Sequence, residues 1–179
     1  MSGRLVILCG LPGSGKTTVA KALEQRLEAV RMSADDWMVA LDADLFDGGR
    51  RSRIEAIQWD LTQRLLALDQ VVLIEWGTWA RSERDALRTR ARELGAAVEL
   101  HYLTAGLDVL FERVQARGME LACGSRAVTL EDMRAYASVL EPPGDDELAL
   151  YDPALDVDQL LLDNTSNPRH INRFRQRPD

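Results

Sequence analysis

The sequence has few lysines, and it has few of the cysteines and histidines and none of the long apolar runs that would mark a disulfide-rich, metal-binding or membrane-spanning protein. Its 179 residues include two lysines, two cysteines and two histidines. No apolar run approaches the roughly 20 residues that cross a bilayer. Cys9 and Cys123 are far apart and lack metal-ligand spacing, so we expect reduced thiols rather than a disulfide framework or a zinc site. His101 and His170 have no partners nearby in sequence, and we interpret both as structural.

Charge and the N-terminal sequence narrow the range of partners. The net charge of −7 and the isoelectric point near 4.9 argue against binding of a long nucleic-acid backbone, which normally needs a basic surface. A local basic pocket for one or two phosphates is still compatible with this charge. The N-terminal apolar run LVILC is too short for a signal peptide. We therefore expect a cytoplasmic protein with no membrane partner.

Short apolar runs alternate with helical patterns, and the chain has no internal repeat or long linker. This alternation is typical of a parallel sheet wrapped by helices, so we predict one α/β domain over residues 1–179 with about five strands. The predicted strands are 4–9, 29–33, 70–77, 96–104 and 159–164. The predicted helices are 18–27, 51–68, 82–95, 106–118, 129–140 and 167–176.

Two of the helices carry specific expectations. Apolar residues at helical spacing predict the buried face of helix 51–68: Ile54, Ile57, Leu61, Leu65 and Leu68. Ser82 is the expected N-cap of the following helix, and Gly95 is its expected end. Trp59 is expected in the core.

The stretch GLPGSGKT, residues 10–17, matches the pattern G-x-x-x-x-G-K-[ST] between a buried strand and a helix. Its glycines allow backbone N–H groups to point at phosphate oxygens, and the helix N-terminus adds favourable partial charge. Lys16 supplies a compact charge that can follow a phosphate in motion, and Thr17 offers a hydroxyl to Mg²⁺. We predict an ATP or GTP site with Mg²⁺. It comprises Gly10, Leu11, Pro12, Gly13, Ser14, Gly15, Lys16, Thr17 and Thr18.

Acidic residues follow two of the predicted strands, at the edge where ligands of parallel α/β sheets gather. Asp35 or Asp36 could take the proton of an acceptor hydroxyl as it attacks the γ-phosphate; alternatively, Ser33 or Asp35 only caps the next helix. Glu75 stands where an acidic residue usually holds a magnesium-bound water, although a structural hydrogen bond would also explain it. The sequence therefore offers a candidate base and a candidate metal ligand.

Tryptophan and arginine supply further candidates for the site. Trp37, Trp76 and Trp79 fall at strand ends, which suggests an acceptor pocket that stacks on a base, ring or sugar face; core packing is the alternative. Arg113 and Arg117 share a helix face before the loop that contains Arg126. We expect at least one of these three arginines to neutralise charge that develops during phosphoryl transfer, although a solvated helix face is the competing interpretation.

Four stretches together give the chain a family resemblance: ILCGLPGSGKTT, SADDW, VVLIEWGTWARSERD and ELHYLTAGLDVLFERVQARG. They resemble the P-loop kinases of the predicted-kinase group, which are related to polynucleotide 5′-kinases, chloramphenicol phosphotransferase and zeta-toxin-type kinases. The resemblance runs from residue 4 to about 147. It implies a three-layer P-loop fold with strand order 2-3-1-4-5, a mobile lid at about 118–128, and ATP with Mg²⁺ as donor.

The resemblance also assigns roles to single residues. Asp35 matches the general base of these kinases. Met38 stands where polynucleotide kinases of this pattern tend to have an arginine that binds a substrate phosphate, which counts against a polynucleotide acceptor. Glu75 departs from the usual aspartate at its position.

Three functions are compatible with these residues. The first is a kinase that transfers the γ-phosphoryl group of Mg-ATP to a hydroxyl of a small molecule, such as a nucleoside, a sugar or amino sugar, a nucleotide sugar or an antibiotic. The second is phosphorylation of a nucleic-acid 5′ end. The third is a nucleotide-dependent switch; the candidate base Asp35 and the arginine-bearing lid favour a kinase over it. The oligomeric state is left open.

Overall fold

The computed structural model describes residues 2–117 and 126–156. Four strands are present in these ranges: β1 (Arg4–Cys9), β2 (Val30–Ser33), β3 (Val71–Glu75) and β4 (Ala97–Tyr102). They form one parallel sheet in the order β2-β3-β1-β4. The helices are α1 (Lys16–Leu27), α2 (Ala34–Ala40), α3 (Gly48–Leu66), α4 (Arg81–Glu93), α5 (Leu107–Arg117), α6 (Leu130–Val139) and α7 (Asp145–Leu148).

The strand order confirms the predicted order as far as the described sheet goes. That sheet has four strands rather than five. Three predicted segments lie outside the described residues. They are the fifth strand at 159–164, the closing helix at 167–176 and residues 118–125 of the expected lid. Within the described ranges, no helix combines the length and the apolar character that a membrane crossing needs.

The central strand β1 is buried on both faces, which makes the fold three layers deep. Leu5 and Ile7 face a cluster with residues of α2, α3 and α4, whereas Val6 and Leu8 face the other side, with Val19 and Leu23 of α1. Successive side chains of a strand point to opposite faces, so an apolar run can serve both layers. A third cluster joins α5 and α6 beside the phosphate loop.

The buried face of α3 differs from the predicted one. The residues that face the sheet are Ile54, Gln58, Thr62 and Leu66. Ile54 is buried as predicted, whereas Ile57, Leu61 and Leu68 are 57%, 38% and 69% exposed, so the prediction for these three is wrong. The face was predicted from apolar residues alone, whereas the helix turns a mixed stripe at i, i+4 spacing towards the core.

The start of α4 also corrects an expectation. The helix begins at Arg81 with Ala80 as its N-cap, so Ser82 already lies in the first turn. The Glu83 carboxylate accepts a hydrogen bond from the Ala80 N–H at 3.1 Å. This contact satisfies the N–H of the N-cap residue itself, as the glutamate of a capping box does, whereas a serine cap would have accepted from an N–H of the first turn. Gly95 follows the helix with a φ of 77°, as expected for a helix end.

A buried ion pair ties α4 to the end of the described chain. Arg84 is fully buried, and its Nε and Nη2 donate to the two carboxylate oxygens of Glu147 at 2.6 and 2.8 Å. The same guanidinium donates to the carbonyls of Thr78, Trp79 and Glu141 at 3.1, 2.8 and 2.9 Å. Arg84 therefore fixes the backbone that follows β3 against α4, α6 and α7.

Replacing Glu147 with alanine should strongly destabilise the fold, because Arg84 would be left as a buried charge without its carboxylate. The expected loss is about 3–5 kcal/mol of unfolding free energy. Urea denaturation followed by circular dichroism measures it. Asp145→Ala is the control, since Asp145 lies exposed on the same short helix and should change stability by at most about 0.5 kcal/mol. Equal losses for the two variants would show that Arg84 does not depend on Glu147.

Candidate functional site

The loop between β1 and α1 has the backbone that the glycine-rich motif predicts. Gly13 has a φ of 80°, and a Cβ atom there would lie 2.4 Å from the Leu110 carbonyl oxygen. Only glycine combines this left-handed conformation with such a close approach to another helix. The loop and α5 are therefore packed backbone to backbone, which places α5 along one side of the loop.

Lys16 begins α1 and lies over this loop. Its Nζ donates hydrogen bonds to the carbonyls of Gly10 at 2.8 Å and Leu11 at 3.0 Å. Burial lowers the pKa of the Lys16 ammonium, and the carboxylates of Glu75 and Asp35 partly oppose this effect. The side chain is held where the loop glycines are, with two nearby acids that favour its charged form.

The hydroxyl and carboxylate predicted to hold a metal lie next to each other. Thr17 Oγ1 donates to Oε1 of Glu75, and Arg31 Nη1 donates to Oε2 of Glu75 at 2.6 Å. Hydroxyl and carboxylate oxygens are ligands that suit Mg²⁺. The pair thus fits a magnesium ion or its bound water beside the phosphate loop.

Arg31 was not identified from the sequence, although it organises this acid. Its side chain is only 11% exposed and forms ion pairs with Glu24, Asp36 and Glu75. Asp36 is thereby held on Arg31 and is not among the residues that line the central pocket. A charged residue within a short strand was the available signal, because a charge that the fold partly removes from water needs partners.

Asp35 lies in the first turn of α2 and lines the pocket. Ser33 is the N-cap of α2, with its side chain accepting a hydrogen bond from the Asp36 N–H at 3.3 Å, so the capping role falls to Ser33 rather than to Asp35. The Asp35 side chain is 65% exposed and forms an ion pair with Arg51 of α3 at 2.7 Å. The carboxylate is thus free of a capping role and accessible from the cavity.

A fully buried glutamine of α3 connects the two strand ends that carry the acids. Gln58 Nε2 donates to the Ser33 carbonyl at 3.0 Å, and Gln58 Oε1 accepts from Trp76 Nε1 at 2.6 Å. Ser33 precedes the helix that bears Asp35, and Trp76 follows Glu75 directly. Gln58 therefore positions both acids through their neighbours.

The three tryptophans at strand ends have different surroundings. Trp79 lines the pocket, donates from Nε1 to the Gly10 carbonyl at 3.3 Å, and lies 5.2 Å from the Tyr136 ring. Trp76 is 8% exposed and also reaches the pocket wall. Trp37 packs against the core and is not among the lining residues. The hypothesis of a tryptophan-lined acceptor pocket thus retains Trp76 and Trp79.

The three candidate arginines differ in whether they line the cavity. Arg117 and Arg126 line the pocket, whereas Arg113 does not and donates to the Gly13 carbonyl at 3.4 Å. Arg126 is bound to the Asp132 carboxylate at 2.8 Å, and its guanidinium lies 4.1 Å from the centre of the Phe46 ring. Arg117 at the end of α5 and Arg126 before α6 therefore face one cavity from two segments.

All these segments surround a cavity of about 530 Å³, within the usual size range of small-molecule sites. The lining residues come from the phosphate loop and α1, from α2 and α3 with their connection, from the segment after β3, and from α5 and α6. They are Pro12, Gly13, Gly15, Lys16, Thr17, Asp35, Leu45, Phe46, Gly48, Arg51, Glu55, Glu75, Trp76, Gly77, Trp79, Val114, Arg117, Arg126, Val128 and Tyr136.

Comparison with known proteins gives a family and a set of similar folds. A family model described as an AAA domain matches residues 5–143. No curated protein matches the chain. Among solved structures, a sugar kinase from Janibacter sp. HTCC2649 has a TM-score of 0.61 at 19% identity, over 92% of this chain and 93% of that one.

Two further kinases have similar folds. A gluconokinase from Sinorhizobium meliloti 1021 has a TM-score of 0.57 at 20% identity, over 92% of this chain and 91% of that one. The APS kinase CysC of Mycobacterium tuberculosis, solved with AMPPNP and APS, has a TM-score of 0.59 at 18% identity, over 92% and 96% of the two chains. At these identities the likeness shows the α/β P-loop kinase fold.

Gln58→Met should destabilise the protein, because it keeps the side-chain volume, leaves the Trp76 N–H unpaired inside the core and removes a hydrogen bond from the Ser33 carbonyl. Each buried unpaired group costs about 1–3 kcal/mol. Thr62→Val is the matched control on the same helix face. The buried Thr62 hydroxyl has no hydrogen-bond partner among the described residues, so this change should be neutral or stabilising. Chemical denaturation compares the two. A stable Gln58→Met variant would contradict the positioning role.

Proposed function

The chain belongs to the AAA domain family, and from this premise we propose that it is an ATP-dependent kinase that phosphorylates a hydroxyl of a small molecule. The observation that carries the proposal is a single cavity shared by the phosphate loop with Lys16 and by the accessible carboxylate of Asp35. A phosphate cradle alone would serve any nucleotide-binding protein. A carboxylate in the same cavity gives an acceptor hydroxyl a group to which its proton can go.

The donor half of the site would bind Mg-ATP. Backbone N–H groups of the loop and Lys16 would hold the phosphates, and Thr17 and Glu75 would hold Mg²⁺, directly or through water. When bound, the metal ion neutralises negative charge on the phosphates. The solved relative with AMPPNP supports a nucleotide donor for this fold.

In the proposed reaction the acceptor oxygen attacks the γ-phosphorus, and the bond between that phosphorus and the β,γ-bridging oxygen breaks. ADP is the leaving group, and Asp35 takes the proton of the hydroxyl. Lys16 and Arg117 or Arg126 would stabilise the charge on the transferred group. The aromatic wall of Trp79 and Tyr136 would help to exclude water, which limits hydrolysis of ATP.

The other two candidate functions receive less support. Met38 is completely buried, so its position offers nothing to a nucleic-acid phosphate. A switch protein needs no large cavity beyond the phosphates, whereas this cavity extends to Phe46, Arg51 and Glu55. The names of the similar solved structures, a sugar kinase, a gluconokinase and an APS kinase, also favour a small-molecule acceptor.

The direct test measures ATP turnover alone and with a panel of hydroxyl acceptors, using ATP labelled in the γ-phosphate. A kinase should be slow alone and fast with a suitable acceptor, and the label should appear in the acceptor. Labelled inorganic phosphate as the only product with every acceptor, at an unchanged rate, would instead identify an ATPase.

Lys16→Ala should reduce phosphoryl transfer by about 10²–10³-fold, because it removes a preorganised cation from the transferring phosphate. Lys21→Ala is the control. It removes the only other lysine, which is exposed on the same helix, and should leave the rate unchanged. Circular dichroism checks that both variants are folded. Near-normal transfer by folded Lys16→Ala would refute the phosphate site.

Asp35→Asn should keep ATP affinity and reduce turnover by about 10²-fold or more, the usual scale of general-base loss. The comparison variant is Asp108→Asn, which removes one exposed carboxylate from the first turn of α5, outside the cavity. Steady-state kinetics and nucleotide-binding calorimetry separate turnover from affinity. If turnover falls by only a few-fold, Asp35 positions the acceptor without taking its proton.

A further inference from the structure

The wall of the cavity formed by α2 and α3 carries charges of both signs. Asp35 projects from α2, and Arg51 and Glu55 project from α3. Arg51 and Glu55 are four residues apart, so they lie on one face of the helix, one turn from each other. Arg51 is bound to Asp35 at 2.7 Å and also donates to the Leu45 carbonyl at 3.1 Å. Among the described residues, Arg51 is the cation between these two acids, and it is already paired with Asp35; Arg126 lies nearby over the Phe46 ring and is paired with Asp132.

Glu55 is a charged lining residue whose carboxylate has no close partner. Among the described residues, no hydrogen bond or ion pair reaches it, whereas Arg51 is paired with Asp35 and Arg126 with Asp132. Partial burial raises the pKa of the Glu55 carboxyl; Arg51 lowers it, and the charges of Glu83 and Asp35 raise it further. The ionised carboxylate is therefore undercompensated at this place.

A partly buried carboxylate in a binding cavity is stabilised by a cation or a strong hydrogen-bond donor. The pairing of Arg51 with Asp35 leaves one negative charge unbalanced on this wall. An anionic acceptor would add repulsion from Glu55, whereas a protonated amine would balance the charge and donate hydrogen bonds. Phe46 also lines the cavity, and the Arg126 guanidinium that lies over its ring is already paired with Asp132, so it does not balance Glu55.

We propose that Glu55 binds a protonated amino group of the acceptor, so that the substrates of this kinase are hydroxylated amines rather than neutral or anionic alcohols. The proposal rests on the proposed function and names its substrate class. The amine would lie against Glu55 on α3 while the hydroxyl lies near Asp35 on α2, because both carboxylates line the same cavity. Glu55 is thus a specificity-determining residue and takes no proton in the reaction.

The test uses two sets of acceptors, each with an amine, a neutral and an anionic member on a similar carbon skeleton; the amine and its neutral partner make the closest comparison. One set is glucosamine, glucose and glucuronate; the other is phenylalaninol, 3-phenylpropanol and phenyllactate. Transfer of label from γ-labelled ATP gives kcat and KM for each. Calorimetry with Mg²⁺ and a non-hydrolysable ATP analogue gives binding of the same compounds without transfer. We expect an amine to be preferred at least tenfold in kcat/KM in one set or both, and to bind more tightly than its neutral partner.

Glu55→Gln identifies the residue responsible. It should reduce the preference for the amine about tenfold or more, mainly through KM, and leave kcat and the KM for ATP within about twofold. Asp60→Asn is the control, because Asp60 is exposed on the same helix and does not line the cavity. It removes the same charge from α3 and should leave the preference unchanged.

The outcomes separate this proposal from the kinase proposal. Phosphorylation of neutral or anionic compounds without a preference for amines overturns the role of Glu55 and leaves the kinase intact. Binding of amines that depends on Glu55, without any labelled product, supports the amine site and removes the kinase function. An unchanged preference in Glu55→Gln, or no binding and no transfer of any amine, overturns the amine site.

Discussion

The buried guanidinium of Arg84 is the interaction on which much of the structure around the site depends. A charge without solvent needs complete pairing, and Arg84 receives it from the Glu147 carboxylate and from three backbone carbonyls. Two of these carbonyls, those of Thr78 and Trp79, belong to the segment that follows β3. Because that segment is fixed, the Trp79 indole can donate to the Gly10 carbonyl of the phosphate loop. The ion pair of Arg84 with Glu147 thus helps to position the wall of the cavity, first through the segment after β3 and then through Trp79.

The two acids of the proposed reaction depend in the same way on residues that do no chemistry. Arg31 binds one oxygen of Glu75 and leaves the other to Thr17, so the carboxylate has one orientation. Gln58 joins the strand ends before Asp35 and after Glu75. Both supporting residues are largely buried and polar, so their hydrogen bonds decide their positions as strictly as packing does. Precise placement of the acids is therefore a property of the core.

The sequence predicted the parts of the protein that depend on residues close together along the chain. The phosphate loop is contiguous, and its glycines, Lys16 and Thr17 have the places that the motif requires. The strand order β2-β3-β1-β4 agrees with the family resemblance. Sequence reasoning missed Arg31, Arg51 and Gln58, because each acts through a residue distant in sequence. It missed Glu55 because the place of this side chain on the cavity wall depends on how α3 packs. It also assigned the wrong face of α3, because the core accepts Gln58 and Thr62 where it leaves Ile57 exposed.

The features that contiguous sequence predicts and those that depend on distant contacts correspond to the two halves of the proposed reaction, the donor site and the acceptor site. The donor half would contact ATP through a loop whose backbone geometry admits few residues, as the close approach of Gly13 to the Leu110 carbonyl illustrates. The proposed acceptor half includes side chains of α2 and α3 that line the cavity and lie outside the loop. A substitution at Glu55 would alter the charge proposed to meet the acceptor without changing a residue of the phosphate cradle. Under the proposed function, the same fold would keep one phosphoryl donor while its helices select among acceptors, so the motif indicates the donor and Glu55 on α3 carries the proposal for the acceptor class.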